Sequence, residues 1–444
     1  MMTNKTRIFK WLFMGGLLAA HGLPASFAAE EGDSQDEKWG DVWEEEWDEE
    51  ESSNWSWAGF VEAGYGQRLQ TDPLFENKET LNELRGHLET DYKGEDADFS
   101  FRGDTWYDGV TDEMELDIRE LAWSFSAFGN TDFKIGRQIS TWGTGDLVFL
   151  NDLFPKDWQS FFSGREDIYL KAPANSVRVT SYFDAVNVDL VWTPVFEEDR
   201  YINGERFSLF NPIVGGNIGG ADVVNPVEPD ENFGNSEIAL RLYKNVEGTE
   251  YALYGYRGFD KQPVGITNTL QPTFHRKDIF GASVRGSIES GLYNVEVAYH
   301  DAVEDSEGSD PFVKNSQWRF LAGYEAEVAT RLTLGLQYYL EWTKDYDELI
   351  ANSPFPQYEA EEKRHLLTTR VTYRTAKDKF VWSLFAFYSP TDDDSYLRPS
   401  LNYRFSDEWL FTIGANLFNG QEEHTFFGQF EDASNAYVRV RYQF

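Results

Sequence analysis

Residues 332–342 read LTLGLQYYLEW, and this short stretch decides the fold class. Every second position from Leu332 to Trp342 carries a large apolar side chain, while Gln337 and Glu341 stand on the opposite parity. Successive side chains of a β-strand point to opposite faces, so the pattern gives one apolar and one polar face. The stretch therefore predicts a strand of the kind found in membrane barrels.

The same alternation recurs along most of the chain. Leu84 and Leu88 alternate with charged residues, as do Phe99 and Phe101 in the next segment. A parity switch within 113–127, between Ile118 and Leu121, predicts a β-bulge. Such runs predict eighteen strands, with sixteen also possible because some boundaries are soft, near residues 55–68, 80–92, 97–108, 113–127, 131–138, 175–183, 186–194, 235–246, 249–259, 277–289, 292–302, 315–327, 330–343, 364–375, 379–389, 395–406, 408–419 and 433–444.

The connections between these segments alternate between short turns and longer loops. Outer-membrane barrels have this asymmetry, with tight periplasmic turns and long outer loops. The chain also ends in an alternating strand with an aromatic last residue, Phe444, which resembles the signal read by the barrel-assembly machinery. We therefore predict an all-β, transmembrane antiparallel barrel over residues 54–444.

Two segments precede the predicted barrel. Three basic residues before an apolar run from Trp11 to Ala20 predict a signal peptide over 1–28; the alternative is a membrane anchor, for which the run is short. Residues 29–53 hold thirteen acidic residues against Lys38 alone, which predicts a disordered periplasmic segment. There Trp39, Trp43 and Trp47 are spaced by four. The segment is either a solvated tail or a docking peptide for a periplasmic or inner-membrane transport component.

Composition excludes several functions. The chain has no cysteine, which rules out disulfides and thiolate metal sites. Its formal net charge of -38 disfavours nucleic acid as a partner. The six histidines have no close paired spacing and no hydrolase motif is present, so we expect no enzyme, no cofactor and no metal site.

The polar parity of the strands predicts which side chains face the lumen. Charge is tolerated there because water or an opposite charge satisfies it. This wall is either a charged conduit or a network of ion pairs that braces a plugged barrel. The predicted lumen residues are Arg85, His87, Glu89, Asp91, Arg102, Asp104, Arg370, Arg374, Arg398, Arg404, Arg439 and Arg441.

The segment 136–171, GRQISTWGTGDLVFLNDLFPKDWQSFFSGREDIYLK, is a long loop with too many apolar side chains for water. We expect it to fold into the barrel as the third long outer loop, like the third loop of porins, and to narrow the lumen. A packing plug is the alternative. The predicted constriction residues are Arg137, Trp142, Asp146, Phe149, Asp152, Phe154, Trp158, Phe162 and Arg165.

The motifs GRQ, WGTGD, NDLFPKD and GRED in this segment resemble a family of Gram-negative outer-membrane barrels that accompany RND-type exporters of hydrophobic compounds. The resemblance implies an outer-membrane location, with outer-membrane lipids and lipopolysaccharide as surroundings. It favours transport, as a porin-like channel or as the exporter's outer-membrane partner. A non-conducting structural or surface-binding barrel is the alternative, and an outer-membrane enzyme is less favoured.

Overall fold

The computed structural model describes residues 53–444. The predicted signal peptide at 1–28 lies outside the described residues, as does the acidic segment up to residue 52 with Trp39, Trp43 and Trp47. Within the described part, no helix is both long enough and apolar enough to cross a membrane.

Residues 53–444 contain twenty-two strands: β1 (Trp55–Arg68), β2 (Glu79–Lys93), β3 (Asp98–Asp108), β4 (Glu113–Ala127), β5 (Thr131–Gln138), β6 (Ala174–Tyr182), β7 (Asn187–Thr193), β8 (Leu209–Asn211), β9 (Gly216–Ile218), β10 (Glu237–Val246), β11 (Thr249–Phe259), β12 (Gly265–Ile266), β13 (Pro272–Thr273), β14 (Arg276–Ile288), β15 (Gly291–Ala302), β16 (Gln317–Ala329), β17 (Leu332–Thr343), β18 (Lys363–Arg374), β19 (Phe380–Ser389), β20 (Asp394–Arg404), β21 (Trp409–Gly420) and β22 (Asn435–Gln443). Two short helices, α1 (Trp158–Ser163) and α2 (Tyr346–Asn352), lie in loops.

Eighteen of these strands, all except β8, β9, β12 and β13, form one antiparallel sheet. Each pairs with the barrel strands before and after it in the chain, and β22 pairs with β1, where Val61 lies opposite Tyr442. The sheet is therefore a closed barrel, which confirms the predicted fold class and the count of eighteen. The four remaining strands form two small hairpins in loops.

The connections lie in two sets at the two ends of the barrel. At one end, which we call the turn end, the links are short, such as 247–248 and 330–331. At the other, the loop end, they include 139–173 and 194–236. Because β1 starts and β22 finishes at the turn end, the described chain has both ends there. This is the asymmetry expected from the sequence.

The two faces of the barrel wall differ as the alternation predicted. On the outer face, Leu253, Phe280 and Leu336 are each more than half exposed. On the inner face, Arg85 is only 2% exposed and Glu296 only 1%. An apolar outer face is the surface that lipid solvates, and the inner face carries the charges.

The predicted bulge lies in β4. Arg102 pairs with Glu120 and the next residue, Gly103, pairs with Ile118, so Arg119 is an extra residue on β4. The Arg119 side chain points inward and donates to the backbone oxygens of Ile168 and Lys171, each at 2.9 Å. The bulge thus adds an inward-facing arginine to the wall.

A charge placed on the outer face should destabilise the barrel. We expect Leu336→Arg to lower the free energy of unfolding by about 2–4 kcal/mol, since the guanidinium would meet hydrocarbon. Urea titration in lipid vesicles measures this. Thr372→Arg on the lumen face of β18 is the control and should cost at most about 0.5 kcal/mol; equal losses would contradict the assignment of the faces.

Candidate functional site

The loop 139–173 between β5 and β6, called here the inner loop, lies inside the barrel. Its residues Trp142, Leu150, Phe161 and Phe162 are all buried and belong to one apolar cluster with side chains of the wall. Gly164, at φ 90°, ends α1 and turns the chain back, and a Cβ there would lie 2.3 Å from the Tyr437 ring. The prediction that this segment folds into the lumen agrees with its position.

Aromatic rings make much of this contact. Phe162 packs edge-on against Phe418 and Phe430, with ring centroids 5.1 and 5.0 Å apart. Trp142 packs against Phe154 at 5.0 Å. Such rings would be costly to expose on a surface loop, and inside the barrel they cover an apolar part of the wall.

One carboxylate on β15 holds the start of the inner loop. Glu296 accepts hydrogen bonds from the backbone N–H and hydroxyl of Thr144, from the N–H of Gly145 at 2.9 Å and from the amide of Asn151 at 2.7 Å. The loop approaches the wall closely here, since a Cβ on Gly281 would lie 1.8 Å from the Asn151 side chain. A buried carboxylate with four donors is a strong, charge-assisted anchor.

Other anchors of the inner loop lie across the barrel on β2 and β3. The Arg165 guanidinium pairs with Glu83 at 2.7 Å and with Asp108 at 3.3 Å. The Tyr169 hydroxyl donates to Asp104 at 2.7 Å. The loop is thus bound at opposite sides of the lumen.

Three further ion pairs join the inner loop to the later strands. Asp146 pairs with Arg370 on β18, where one of the two hydrogen bonds is 2.9 Å long. Asp167 pairs with Arg398 on β20 at 2.9 Å, and Glu166 pairs with Arg441 on β22 at 2.6 Å. The basic wall predicted from parity therefore meets acidic residues of the inner loop.

The predicted lumen residues fall into three groups. Arg370, Arg398 and Arg441 bind the inner loop, and Arg439 and Arg441 share Glu62 on β1. A second group pairs within the wall: Arg85, His87, Glu89, Asp91, Arg102 and Asp104. Arg374 and Arg404 end their strands at the turn end and are exposed, so they lie at the rim.

Most predicted constriction residues lie in the inner loop. Trp142, Asp152, Phe154, Phe162 and Arg165 are buried there, and Phe149 and Trp158 are partly buried. Arg137 differs, because it belongs to β5 and pairs with Glu197 of the 194–236 loop at 2.8 Å. The strand continues one residue past Arg137, which places this arginine on the wall rather than in the inner loop.

Several wall residues that bind the inner loop were missed. Glu296 and Glu83 carry the loop's main anchors, and Asp189 accepts from the Trp142 indole at 3.2 Å. All three stand on the lumen parity of their strands, so alternation could have found them. Many acidic residues of the wall face inward, however, and the closed barrel decides which of them contact the inner loop.

An apolar cavity lies between the inner loop and the wall towards the loop end. We call it the outer cavity; its volume is about 320 Å³ and its lining includes Phe149, Trp158, Phe161, Tyr339 and Leu366. A second apolar cavity of about 330 Å³ lies among the outer loops and shares Trp158 with it. The two cavities are therefore neighbours, since they also share Phe162 and Phe426.

A smaller cavity of about 240 Å³ lies on the turn-end side of the inner loop. Its lining is polar and apolar in equal measure, and the polar side chains on the wall include Asn294, Gln337 and Arg370. Thr144 and Asp146 of the inner loop form its other side. Residues 144–146 thus line this smaller cavity, and the next residues of the inner loop, 147–149, line the outer cavity.

A polar cavity of about 550 Å³ lies between the inner loop and the 194–236 loop. Burial, reinforced by the charges of Glu228 and Asp199, raises the pKa of Glu198 to about 7. Burial also raises the pKa of Asp199 to about 6, although neighbouring donors from Lys156 and Trp158 oppose the shift. Both carboxyl groups thus change charge near neutral pH.

Loss of the Glu296 anchor should loosen the inner loop. In Glu296→Gln the amide nitrogen would face donors, so we expect the free energy of unfolding to fall by about 2 kcal/mol or more. Urea titration in lipid vesicles is the measurement. Glu325→Gln, an exposed lumen-face residue of β16 with no side-chain hydrogen bond to residues 53–444, should change little. Equal effects would contradict the anchor.

Ionisation of Glu198 should make stability pH-dependent. Its folded pKa of about 7 exceeds the usual value of about 4.3, so its stabilising contribution is present below about pH 4 and is lost as pH rises through about 7. We expect the thermal unfolding midpoint to fall less between pH 4 and pH 8 in Glu198→Gln than in the unsubstituted protein. Glu205→Gln, exposed in the same cavity, is the control; an unchanged fall in Glu198→Gln would refute the assignment.

Comparison with known proteins gives likeness in structure alone. No family model matches this sequence, and no curated protein matches it. OccAB3 of Acinetobacter baumannii is similar at a TM-score of 0.54 and 9% identity, over 88% of this chain and 99% of that one.

Two further solved barrels cover the same share of this chain, 88%. OccK2 (OpdF) of Pseudomonas aeruginosa, solved with glucuronate, has a TM-score of 0.53 and 11% identity over 97% of its length. A BenF-like porin from Pseudomonas fluorescens Pf-5 has a TM-score of 0.53 and 10% identity over 98% of its length. This protein therefore has a porin-type barrel fold.

Proposed function

We propose that this protein is an outer-membrane transport barrel in which the inner loop controls the passage of small apolar or amphipathic solutes. The observation that supports this is the position of the inner loop, which crosses the lumen with the apolar outer cavity on one side and the smaller cavity beside Arg370 on the other. Apolar pockets with a few placed polar groups are the usual sites for such ligands.

An outer-membrane location accounts for the surfaces of the barrel. Its apolar outer face needs lipid, and its even number of strands with short turns at one end is typical of Gram-negative outer-membrane barrels. Since β1 starts at the turn end, this orientation puts the 29–53 segment in the periplasm. Outer-membrane lipids and lipopolysaccharide would then surround the wall.

The inner loop has a candidate gate at Asp146 and Leu147, directly after the residues that Glu296 holds. Asp146 binds Arg370 through side chains that are 40% and 24% exposed, whereas both partners of the Arg165–Glu83 pair are buried. The next residue, Leu147, has a φ of 58°, a conformation that costs a non-glycine residue about 1–2 kcal/mol. Relief of this strain would offset part of the cost of breaking the ion pair. A shift of this short segment would connect the two cavities.

Partners follow from the same proposal. The motifs shared with barrels that accompany RND-type exporters suggest the chain as the outer-membrane component of such an exporter, and Trp39, Trp43 and Trp47 would then dock on a periplasmic component. The barrel-assembly machinery stays an expected partner. The expectation that the chain is neither an enzyme nor cofactor-dependent stays a prediction.

A non-conducting barrel is the second candidate. It is favoured by the ion pairs that bind the inner loop around the wall, such as Arg165 with Glu83 and Arg398 with Asp167. If these pairs never open, the barrel serves as a structural or surface-binding protein. Conductance distinguishes the two candidates.

Weakening the gate should increase current through the barrel. We expect Arg370→Gln to raise the single-channel conductance in planar bilayers, because Asp146 loses its partner on the wall. Arg374→Gln, four residues along the same strand and exposed at the rim, removes the same charge and should leave conductance unchanged. Absence of any conductance in both variants would favour the non-conducting barrel.

A further inference from the structure

The outer cavity has two unlike sides. Aromatic side chains of the inner loop, including Phe149, Trp158 and Phe162, form one side. The wall opposite carries a row of charged groups on neighbouring strands, since Arg319 on β16 lies opposite Glu341 on β17 and Glu341 lies opposite Arg364 on β18. A ligand in this cavity would touch rings on one side and charges on the other.

The carboxylates that line the outer cavity already have donors. Glu341 accepts from Gln317 at 3.1 Å and from the Tyr339 hydroxyl at 2.9 Å, and its carboxylate lies 3.5 Å from Arg319. Asp199 accepts from an indole and a backbone N–H, Asp152 lies between two lysines, and Asp260 pairs with a lysine. The cavity therefore has little capacity left to accept a cationic ligand.

The cations of the same cavity have donors to spare. Lys314, in the loop before β16, makes no hydrogen bond or ion pair with residues 53–444, although it lies close enough to act on the charge of Glu341. Arg319 directs its Nε and Nη2 groups to Gln317, and its Nη1 group makes no hydrogen bond in the described chain. Arg364 has a buried Nη2 with no acceptor there. Unused donors beside carboxylates that already have partners favour an acceptor-rich, negatively charged group.

We propose that the outer cavity binds a small amphipathic anion, with its acidic head at Lys314 and Arg319 and its apolar body against Trp158 and Phe162. The apolar body gains from removal of its surface from water. The head uses the donors that the fold leaves unpaired. This inference rests on the proposed transport function and assigns its solute class.

The opposite charge on the ligand would have the reverse effect. An ammonium head in the same position would lie beside Lys314, and repulsion between the two positive charges would oppose binding. The nearby carboxylates already accept hydrogen bonds or pair with cations of the protein. A neutral head would use the free donors but lack the ionic attraction. Three ligands that differ only in the head group therefore test the proposal.

The experiment is a calorimetric titration of the full-length protein in nanodiscs of zwitterionic lipid, with empty nanodiscs as the blank. The ligands are phenylbutyrate, phenylbutanamide and phenylbutylammonium. We expect phenylbutyrate to bind at least about tenfold more tightly than phenylbutylammonium, the fold-change typical of one charged hydrogen bond. Equal affinities, or no binding of phenylbutyrate, would overturn the proposal.

Variants localise the anion. Lys314→Gln should weaken phenylbutyrate about tenfold and leave phenylbutanamide nearly unchanged. Lys363→Gln is the matched control, because Lys363 is exposed at the start of β18, lies over the Trp342 ring and, within residues 53–444, forms an ion pair with Glu362 alone, at 3.7 Å. If Lys363→Gln weakens phenylbutyrate as much as Lys314→Gln does, the head does not bind at Lys314.

The proposed anion site and the proposed transport function can be rejected independently of each other. Charge-selective binding in a barrel that never conducts would keep the anion site and reject transport. Conduction without preference for phenylbutyrate would keep transport and reject the anion site. The calorimetric and bilayer measurements therefore give independent answers.

Discussion

Closure of the sheet through the hydrogen bonds between β1 and β22 is the constraint on which the rest of the structure depends. In hydrocarbon each unpaired backbone N–H or C=O costs several kcal/mol, so a spanning sheet has to leave no edge. Closure also assigns every strand an outer and an inner face. The apolar parity then meets lipid, and the polar parity is confined to a lumen that has to satisfy its charges.

The inner loop supplies partners for many of the charged groups in the lumen. Asp146, Glu166 and Asp167 supply carboxylates to wall arginines, and Arg165 supplies a cation to wall acids. Its aromatic residues cover inward-facing apolar positions such as Tyr396, which strand alternation alone would place in water. The wall and the loop are thus complementary in charge and in polarity. Neither surface would be stable without the other, because both would hold desolvated or exposed groups lacking partners.

The strands were predictable because their signal is local. A period of two within some ten residues sets which side chain faces lipid, and the bulge at Arg119 follows from one break in that period. Arg137 was predicted both within the strand 131–138 and as a constriction residue; β5 does end at Gln138, but the Arg137 side chain pairs with Glu197 of another loop, a partner that alternation cannot give. Arg374 and Arg404 show a related limit: parity gives the face of a residue but not its height in the barrel.

The sequence by itself determined the barrel class, the order of the strands and the segment too apolar to remain outside, and it left the strand number at eighteen or sixteen. Those features depend on alternation and composition, which are properties of neighbouring residues. Only the tertiary structure decided that Glu296 binds Asn151 of the inner loop, 145 residues earlier in the chain, and that His300 contacts the backbone oxygen of Leu150, 150 residues earlier. Such pairings depend on barrel diameter and strand stagger, and these arise only when all eighteen strands close.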